Sequence, residues 1–126
     1  MPSTKIFIVE DEILIAEDLR LILQRMSYEV VGIASSGAEA IRKAQKLHPD
    51  LVLMDVRLQG PMDGVETARQ IRSTADIPII FITAYASVLA SLEPNDHYTR
   101  LAKPFSPSQL QAAIETALGR TQKQAQ

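Results

Sequence analysis

The sequence predicts an α/β fold in which a parallel sheet is covered by helices on both faces. Two observations carry this. Five short apolar runs alternate with five helical stretches, the order of strand–helix units that builds a parallel sheet. The runs Lys5–Val9, Leu51–Met54 and Ile77–Ile82 show no polar alternation, which suits strands buried on both faces rather than strands with a wet side. Length agrees: 126 residues make one domain and almost five units of about 25 residues.

Each element has its own warrant. Lys5-Ile6-Phe7-Ile8-Val9 is β-branched and stops at Glu10-Asp11-Glu12. From Ile13 to Met26, Ile15, Leu19, Ile22 and Met26 recur at helical spacing, and Ser27-Tyr28 breaks the pattern. Glu29–Ala34 is the second strand. A helix follows from about Ala38 to Leu47, with Ile41, Ala44 and Leu47 inward, and His48-Pro49-Asp50 ends it because the residue before proline avoids the α region. After Leu51–Met54 and a loop through Gly60, Pro61, Asp63 and Gly64, a third helix spans about Val65 to Ser73 with Val65, Ala68 and Ile71 inward. Ile77–Ile82 tolerates Pro78 near its start. Tyr85 to Leu92 reads as a short helix, Pro94-Asn95-Asp96 as a turn, and Thr99–Ala102 as the fifth strand. Ser106-Pro107-Ser108-Gln109 is a capping box with proline at the first helical position. Leu110, Ile114 and Ala117 face inward, Gly119 is expected to end the helix, and residues 121–126 form a polar tail. The expected organisation is one domain over 1–126 with its core at about 5–120.

Composition removes several classes of function. The absence of cysteine excludes a disulfide scaffold, a thiol nucleophile and a cysteine-ligated metal. The two histidines, His48 and His97, carry no partner motif. A net charge of −2 offers no basic footprint for nucleic acid. No apolar stretch is long enough to span a bilayer, and Met1–Thr4 resembles no secretory signal, so the expected setting is cytoplasmic.

In open parallel sheets, ligands bind beyond the carboxyl ends of the strands. That rule converts strand ends into a site: Glu10, Asp11 and Glu12 after the first, Asp55 after the third, Thr83 after the fourth, Lys103 after the fifth. The second ends in Ala34-Ser35-Ser36 and is expected at an edge, away from the site. Clustered carboxylates raise one another's pKa unless a cation neutralises them, and oxygen-only donors favour Mg²⁺. The chemistry is therefore phosphoryl transfer, with Asp55 as nucleophile forming an acyl phosphate, Lys103 as a fixed cation and Thr83 as a short hydroxyl donor. Taken singly, each residue has a plainer reading: Asp11 or Glu12 as a helix cap, Asp55 or Asp63-Gly64 as a turn, Lys103 as a solvated charge. Chance capping does not predict four strand ends converging on one face.

Val9-Glu10-Asp11-Glu12, Leu53-Met54-Asp55, Met62-Asp63-Gly64, Ile82-Thr83-Ala84 and Lys103-Pro104-Phe105 together resemble the receiver domain of two-component response regulators, in order and over nearly the whole chain. The resemblance implies a flavodoxin-like, doubly wound sheet of five strands in the order 2-1-3-4-5 with five helices. It implies that Asp55 accepts a phosphoryl group from a histidine kinase or a histidine phosphotransfer protein. Glu10 and Asp11 would hold Mg²⁺ together with Asp55 and the backbone carbonyl of Arg57. Thr83 and Lys103 would engage the phosphoryl group, and Pro104 would follow a cis bond. The signal would pass to a partner protein through the fourth helix, fifth strand and fifth helix, with homodimerisation through the fourth-helix face left open. The protein would be a signalling phosphoacceptor, assisting its own phosphorylation and dephosphorylation, rather than an enzyme.

Some features depart from the family pattern. Arg100 stands three before the lysine, where an aromatic residue is usual, and Tyr98 lies two residues earlier on the same side of the strand. The Thr83–Lys103 segment is about two residues short, and the Asp55–Asp63 loop is about one residue longer than the commonest form. Arg57 and Tyr85 flank the expected site and are candidates for setting the hydrolysis rate. A flavodoxin-like cofactor binder would need a Ser/Thr/Gly-rich loop where Glu10-Asp11-Glu12 stands, and an Asp-x-Asp phosphohydrolase would need an acid at Arg57. The remaining alternative is a receiver-like interaction module that signals without phosphorylation. Since the units consume the chain from Lys5 to about Arg120, the output is expected to lie elsewhere: in a partner, or in the rest of a longer chain.

Overall fold

In a computed structural model, which describes residues 3–84 and 98–125 (side chains through 119), nine elements alternate. They are β1 (Lys5–Val9), α1 (Ile13–Arg25), β2 (Glu29–Ala34), α2 (Gly37–Leu47), β3 (Leu51–Asp55), α3 (Gly64–Thr74), β4 (Ile79–Thr83), β5 (Tyr98–Ala102) and α4 (Pro107–Ala125). The expected helix at Tyr85–Leu92, the turn at Pro94–Asp96, and His97 lie outside the described residues. The five strands form one parallel sheet in the order β2-β1-β3-β4-β5. The unalternating runs are central, as their composition requires: Ile6, Phe7, Ile8, Leu51, Val52, Met54, Ile79, Ile80 and Phe81 are fully buried. β2, with its polar end, is an edge.

The sheet separates two cores. On one side Ile6, Ile8, Leu53, Ile80 and Ile82 meet Ala16, Leu19 and Leu23 of α1 and Leu110 and Ile114 of α4. On the other, Phe7, Val52, Met54 and Phe81 meet Ala40 and Ala44 of α2 and Ala68 and Ile71 of α3. Leu19 of α1 is buried as expected, but the rest of the helix's buried line is shifted by one residue from the expected stripe. Ala16 and Leu23 are its centre, and Ile15, Ile22 and Met26 flank it half-buried. Small Ala16 brings the helix axis close to the sheet, and the isoleucines cover the sides.

Local signals act largely as their chemistry dictates. Ser106 Oγ accepts from Gln109 N at 3.1 Å while Gln109 Oε1 accepts from Ser106 N at 2.8 Å, a complete capping box. Ser27 and His48 stop α1 and α2 with left-handed φ of 68° and 48°. Two expectations are corrected. β4 starts at Ile79, after Pro78, although Ile77 is buried. Gly119 does not end the last helix, whose backbone continues to Ala125. A helical glycine costs only about 1 kcal/mol relative to alanine, and the following Arg, Gln, Lys and Ala favour helix, so residues 121–125 of the expected tail are helical.

Candidate functional site

Parallel pairing brings the strand ends to one rim. Asp55 pairs with Ile82 and Thr83 with Ala102, while Val9 lies between Met54 and Ala34. The residues following β1 and β5 thus flank the end of β3. Glu10 N donates to Ala34 O at 2.9 Å, and Lys103 N donates to Thr83 O at 2.9 Å, so the sheet's own ladder extends to both. Thr83 is buried at the end of β4, and the Lys103–Pro104 bond is cis.

The side chains converge. Lys103 Nζ donates to Glu10 Oε1 at 3.2 Å and to Asp55 Oδ2 at 3.3 Å. Arg57 N donates to Asp55 Oδ1 at 3.0 Å, and Glu12 N donates to Glu10 Oε2 at 3.1 Å. Carboxylate oxygens of Glu10, Asp11 and Asp55 lie within 4.8 Å of one another. Glu12 occupies the N-cap of α1, yet its side chain makes no capping bond, so Glu12 is not explained as a cap. Glu10 is only 3% exposed. Burial, with Asp55 adding to it, pushes its carboxyl up to about 7 against the opposing Glu12 N–H and Lys103. For Lys103, burial pulls downward, but the Asp55 and Glu10 carboxylates outweigh it and hold the ammonium above its ordinary value.

This donor set fits Mg²⁺. Three hard oxygen donors face one ammonium, and Mg²⁺ takes one or two carboxylates plus water and phosphate oxygens. Beside the cluster a groove of about 680 Å³ runs between α1 and the β5–α4 connection, lined by Leu14, Ile15, Ile22, Lys103, Pro104 and Phe105. Ile13 and Leu14, just after the acidic turn, are 74% and 82% exposed.

The sequence presents Asp63-Gly64 as turn chemistry, and the fold gives the pair a second role. Asp63 caps α3, accepting from Glu66 N at 2.9 Å, and Gly64 N donates to Val56 O at 2.8 Å. A Cβ on Gly64 would stand 2.8 Å from Val56 Cα and 2.9 Å from the Asp55 carbonyl carbon, so only glycine lets α3 start against the Asp55 backbone. The Asp-x-x-Glu spacing of Asp63 and Glu66 is the capping signal that marks this start. Tyr98 lies half-buried against Phe81, ring centroids 4.9 Å apart, whereas Arg100, paired with Phe81, is exposed. Tyr98 is four residues from Ala102, the partner of Thr83, or about 13 Å along the strand.

Comparison with known proteins gives a consistent match. The family model described as response regulator receiver domain matches residues 6–115. The Phyllosphere-induced regulator PhyR of Methylorubrum extorquens is 35% identical over 117 residues, 92% of this chain and 44% of that protein. The transcriptional regulatory protein PdtaR of Mycobacterium tuberculosis is 39% identical over 118 residues, 92% of this chain and 57% of that protein. The chain thus spans about half the length of these curated relatives. The receiver domain of the Erythrobacter litoralis PhyR response regulator, solved in solution, superposes with a TM-score of 0.84 at 32% identity, covering 94% of this chain and 92% of that one.

Proposed function

Since the chain belongs to the response regulator receiver domain family, we propose that it takes a phosphoryl group onto Asp55 from the phosphohistidine of a histidine kinase or histidine phosphotransfer protein, with Mg²⁺, and passes the signal to a partner protein. The observation that carries this reading is the convergence of Glu10, Asp11 and Asp55 around a lysine that contacts two of them. On this reading the chain acts as a signalling component rather than a classical enzyme.

The chemistry follows from the residues. An Asp55 carboxylate oxygen attacks phosphorus, the phosphorus–nitrogen bond to the donor imidazole breaks, and the imidazole leaves with a proton from solvent, giving an acyl phosphate. Lys103, already beside Asp55 Oδ2, pairs with the phosphoryl oxygens as charge arrives. Thr83, at the neighbouring strand end, offers its hydroxyl to the same group. Glu10, Asp11, Asp55 and the Arg57 carbonyl would hold the cation. Bound there, Mg²⁺ supplies charge neutralisation for the carboxylates and the transferring group. The exposed Ile13 and Leu14 and the groove against Pro104 and Phe105 give a donor protein an apolar surface next to Asp55.

Partner contact without direct nucleic-acid or membrane binding fits the charge, and among the described residues no helix is long and apolar enough to cross a membrane. A cytoplasmic setting follows from the kinase chemistry proposed. Incubation with acetyl phosphate and Mg²⁺ tests the reading: wild type should acquire label, and labelling no better than that of Asp55→Asn overturns it. A second reading, signalling independent of phosphorylation, draws on the exposed Arg100 where the family usually has an aromatic switch. Unchanged association state and partner binding with and without a phosphoryl mimic would favour it.

A further inference from the structure

We infer that Asp55 governs not only its own site but the start of α2, through the loop that follows β3. This deepens the regulation of the proposed phosphoacceptor and rests on that reading. The path is continuous. Asp55 Oδ1 accepts from Arg57 N at 3.0 Å and so fixes the first turn of the loop. Val56 and Leu58 are anchored in the core beside α2 and α3. Two residues after Arg57, Gln59 forms an isolated parallel bridge with Ser36. Ser36 is the N-cap of α2, its Oγ accepting from Glu39 N at 3.3 Å, and Glu39 returns to accept from Ser35 N at 2.8 Å. The far side of the loop is also tied down. A Cβ on Gly37 would stand 3.1 Å from Met62 Sδ and closer still to Thr67 Oγ1, so α2 begins in close contact with the residues that end the loop.

The coupling has a chemical cause. A free Asp55 carboxylate gives Arg57 N–H a charged acceptor, whereas an acyl phosphate carries no charge on either former carboxylate oxygen. The Arg57 amide therefore loses its charged carboxylate acceptor whichever oxygen is phosphorylated, and must turn to a neutral acyl oxygen or to a charged phosphoryl oxygen farther out. The loop end that carries Gln59 must readjust, and it does so against the α2 cap. The edge of the sheet around Ser35–Glu39 thus becomes a response surface on the opposite side of the molecule from β5.

Amide hydrogen exchange by NMR tests this on the whole chain. Asp55→Asn should speed exchange at Arg57, Ser35, Glu39 and Ala40 by about tenfold, the effect of losing a charged acceptor. Lys103→Met removes the contact to Asp55 Oδ2 but leaves Oδ1, and should leave Ser35, Glu39 and Ala40 within about twofold. Equal effects of the two substitutions, or none, overturn the inference. In wild type treated with acetyl phosphate and Mg²⁺, the Ser35 and Glu39 amide resonances should shift as Asp55 acquires label. Label without a shift overturns the coupling alone, and absence of label overturns the phosphoacceptor reading with it. Gly60 has φ +98° with nothing within 4 Å of an added Cβ, so Gly60→Val strains the loop without crowding the site. This variant should still label yet lose at least half of the Ser35 and Glu39 shift; a full shift counts against the path.

Discussion

A methyl group on Gly64 would overlap the carbonyl oxygen of Asp55. The first residue of α3 is therefore what sets how closely that helix approaches the proposed phosphoacceptor's backbone. Neither partner can yield cheaply, because the obstructing atoms are main chain in a fully paired strand end: Val56 N donates to Ile82 O at 3.1 Å and Val56 O accepts from Gly64 N at 2.8 Å. Gly64→Ala should cost about 3 kcal/mol and lower the melting temperature by about 10 °C. The same variant should label more slowly at Asp55, since the helix can move away only by dragging the loop. Thermal unfolding followed by circular dichroism measures the first effect.

Lys103 holds two carboxylates that would otherwise face each other. Its loss leaves Glu10, which is buried, and Asp55, which is nearly so, with an uncompensated charge. Lys103→Met should destabilise the metal-free protein by about 2 kcal/mol at pH 8. Adding Glu10→Gln removes one of the opposed charges, so the double variant should be more stable than Lys103→Met alone. Urea denaturation of the four members of the cycle gives the coupling directly. A purely additive result would show that Lys103 acts as a solvated charge.

The site was legible because buried parallel strands admit no charge along their length. The first charged residue after each apolar run, Glu10 after Val9 and Asp55 after Met54, therefore marks both the strand's end and the ligand rim. Less legible was anything decided by approach distance. In α1, apolar residues stand at Ile13, Leu14, Ile15, Ala16, Leu19, Leu21, Ile22 and Leu23, so periodicity admits more than one phase. Packing selects the one with Ala16 against the sheet. Gly64 looks like any turn glycine until α3 is placed against Asp55. The α2 cap could not be linked to Asp55 from sequence either, since Gln59 and Ser36 become neighbours only once the loop folds across.

Gly119 gives the reverse case. It lies inside α4 with nothing within 4 Å of an added Cβ. Alanine there meets no obstruction and restricts the unfolded chain. Gly119→Ala should stabilise by about 0.5–1 kcal/mol, raising the melting temperature by about 2–4 °C. A helix that stopped at Gly119 in a left-handed turn would instead be destabilised, so the sign of the change separates the two descriptions of this end.

Acid should weaken the α2 cap. The Ser35 N–H, then Lys43, hold the Glu39 carboxyl down from 4.5 to about 2. A carboxyl whose folded pKa is depressed contributes stability above its unfolded value, and that contribution disappears as pH falls from about 4.5 through about 2. Water screens much of this at a side chain 29% exposed, so the contribution is about 1 kcal/mol. Wild type should exceed Glu39→Gln in stability at pH 7, with the difference vanishing by about pH 2. A gap that stays constant with pH would assign the loss to packing instead of charge.

The charge balance at the rim makes the last case. Glu10, Asp11 and Asp55 present three carboxylates, and Lys103 contacts only Glu10 and Asp55. One ammonium cannot neutralise the three, and repulsion from Asp55 is a cost added to the burial that chiefly pushes Glu10 up to about 7. A divalent cation removes that cost in the folded state and finds no such cluster in the unfolded chain. Mg²⁺ at about tenfold above its dissociation constant should therefore raise the melting temperature by about 5 °C. Potassium at matched ionic strength should not reproduce the rise, because screening acts on both states and a monovalent ion gains less from converging carboxylates. Asp11→Asn should reduce the Mg²⁺ effect while leaving the Lys103 pairs intact, since Asp11 takes no part in them. An undiminished response in that variant would mean that the cation binds without Asp11, and the proposed ligand set would have to be redrawn around Glu10 and Asp55.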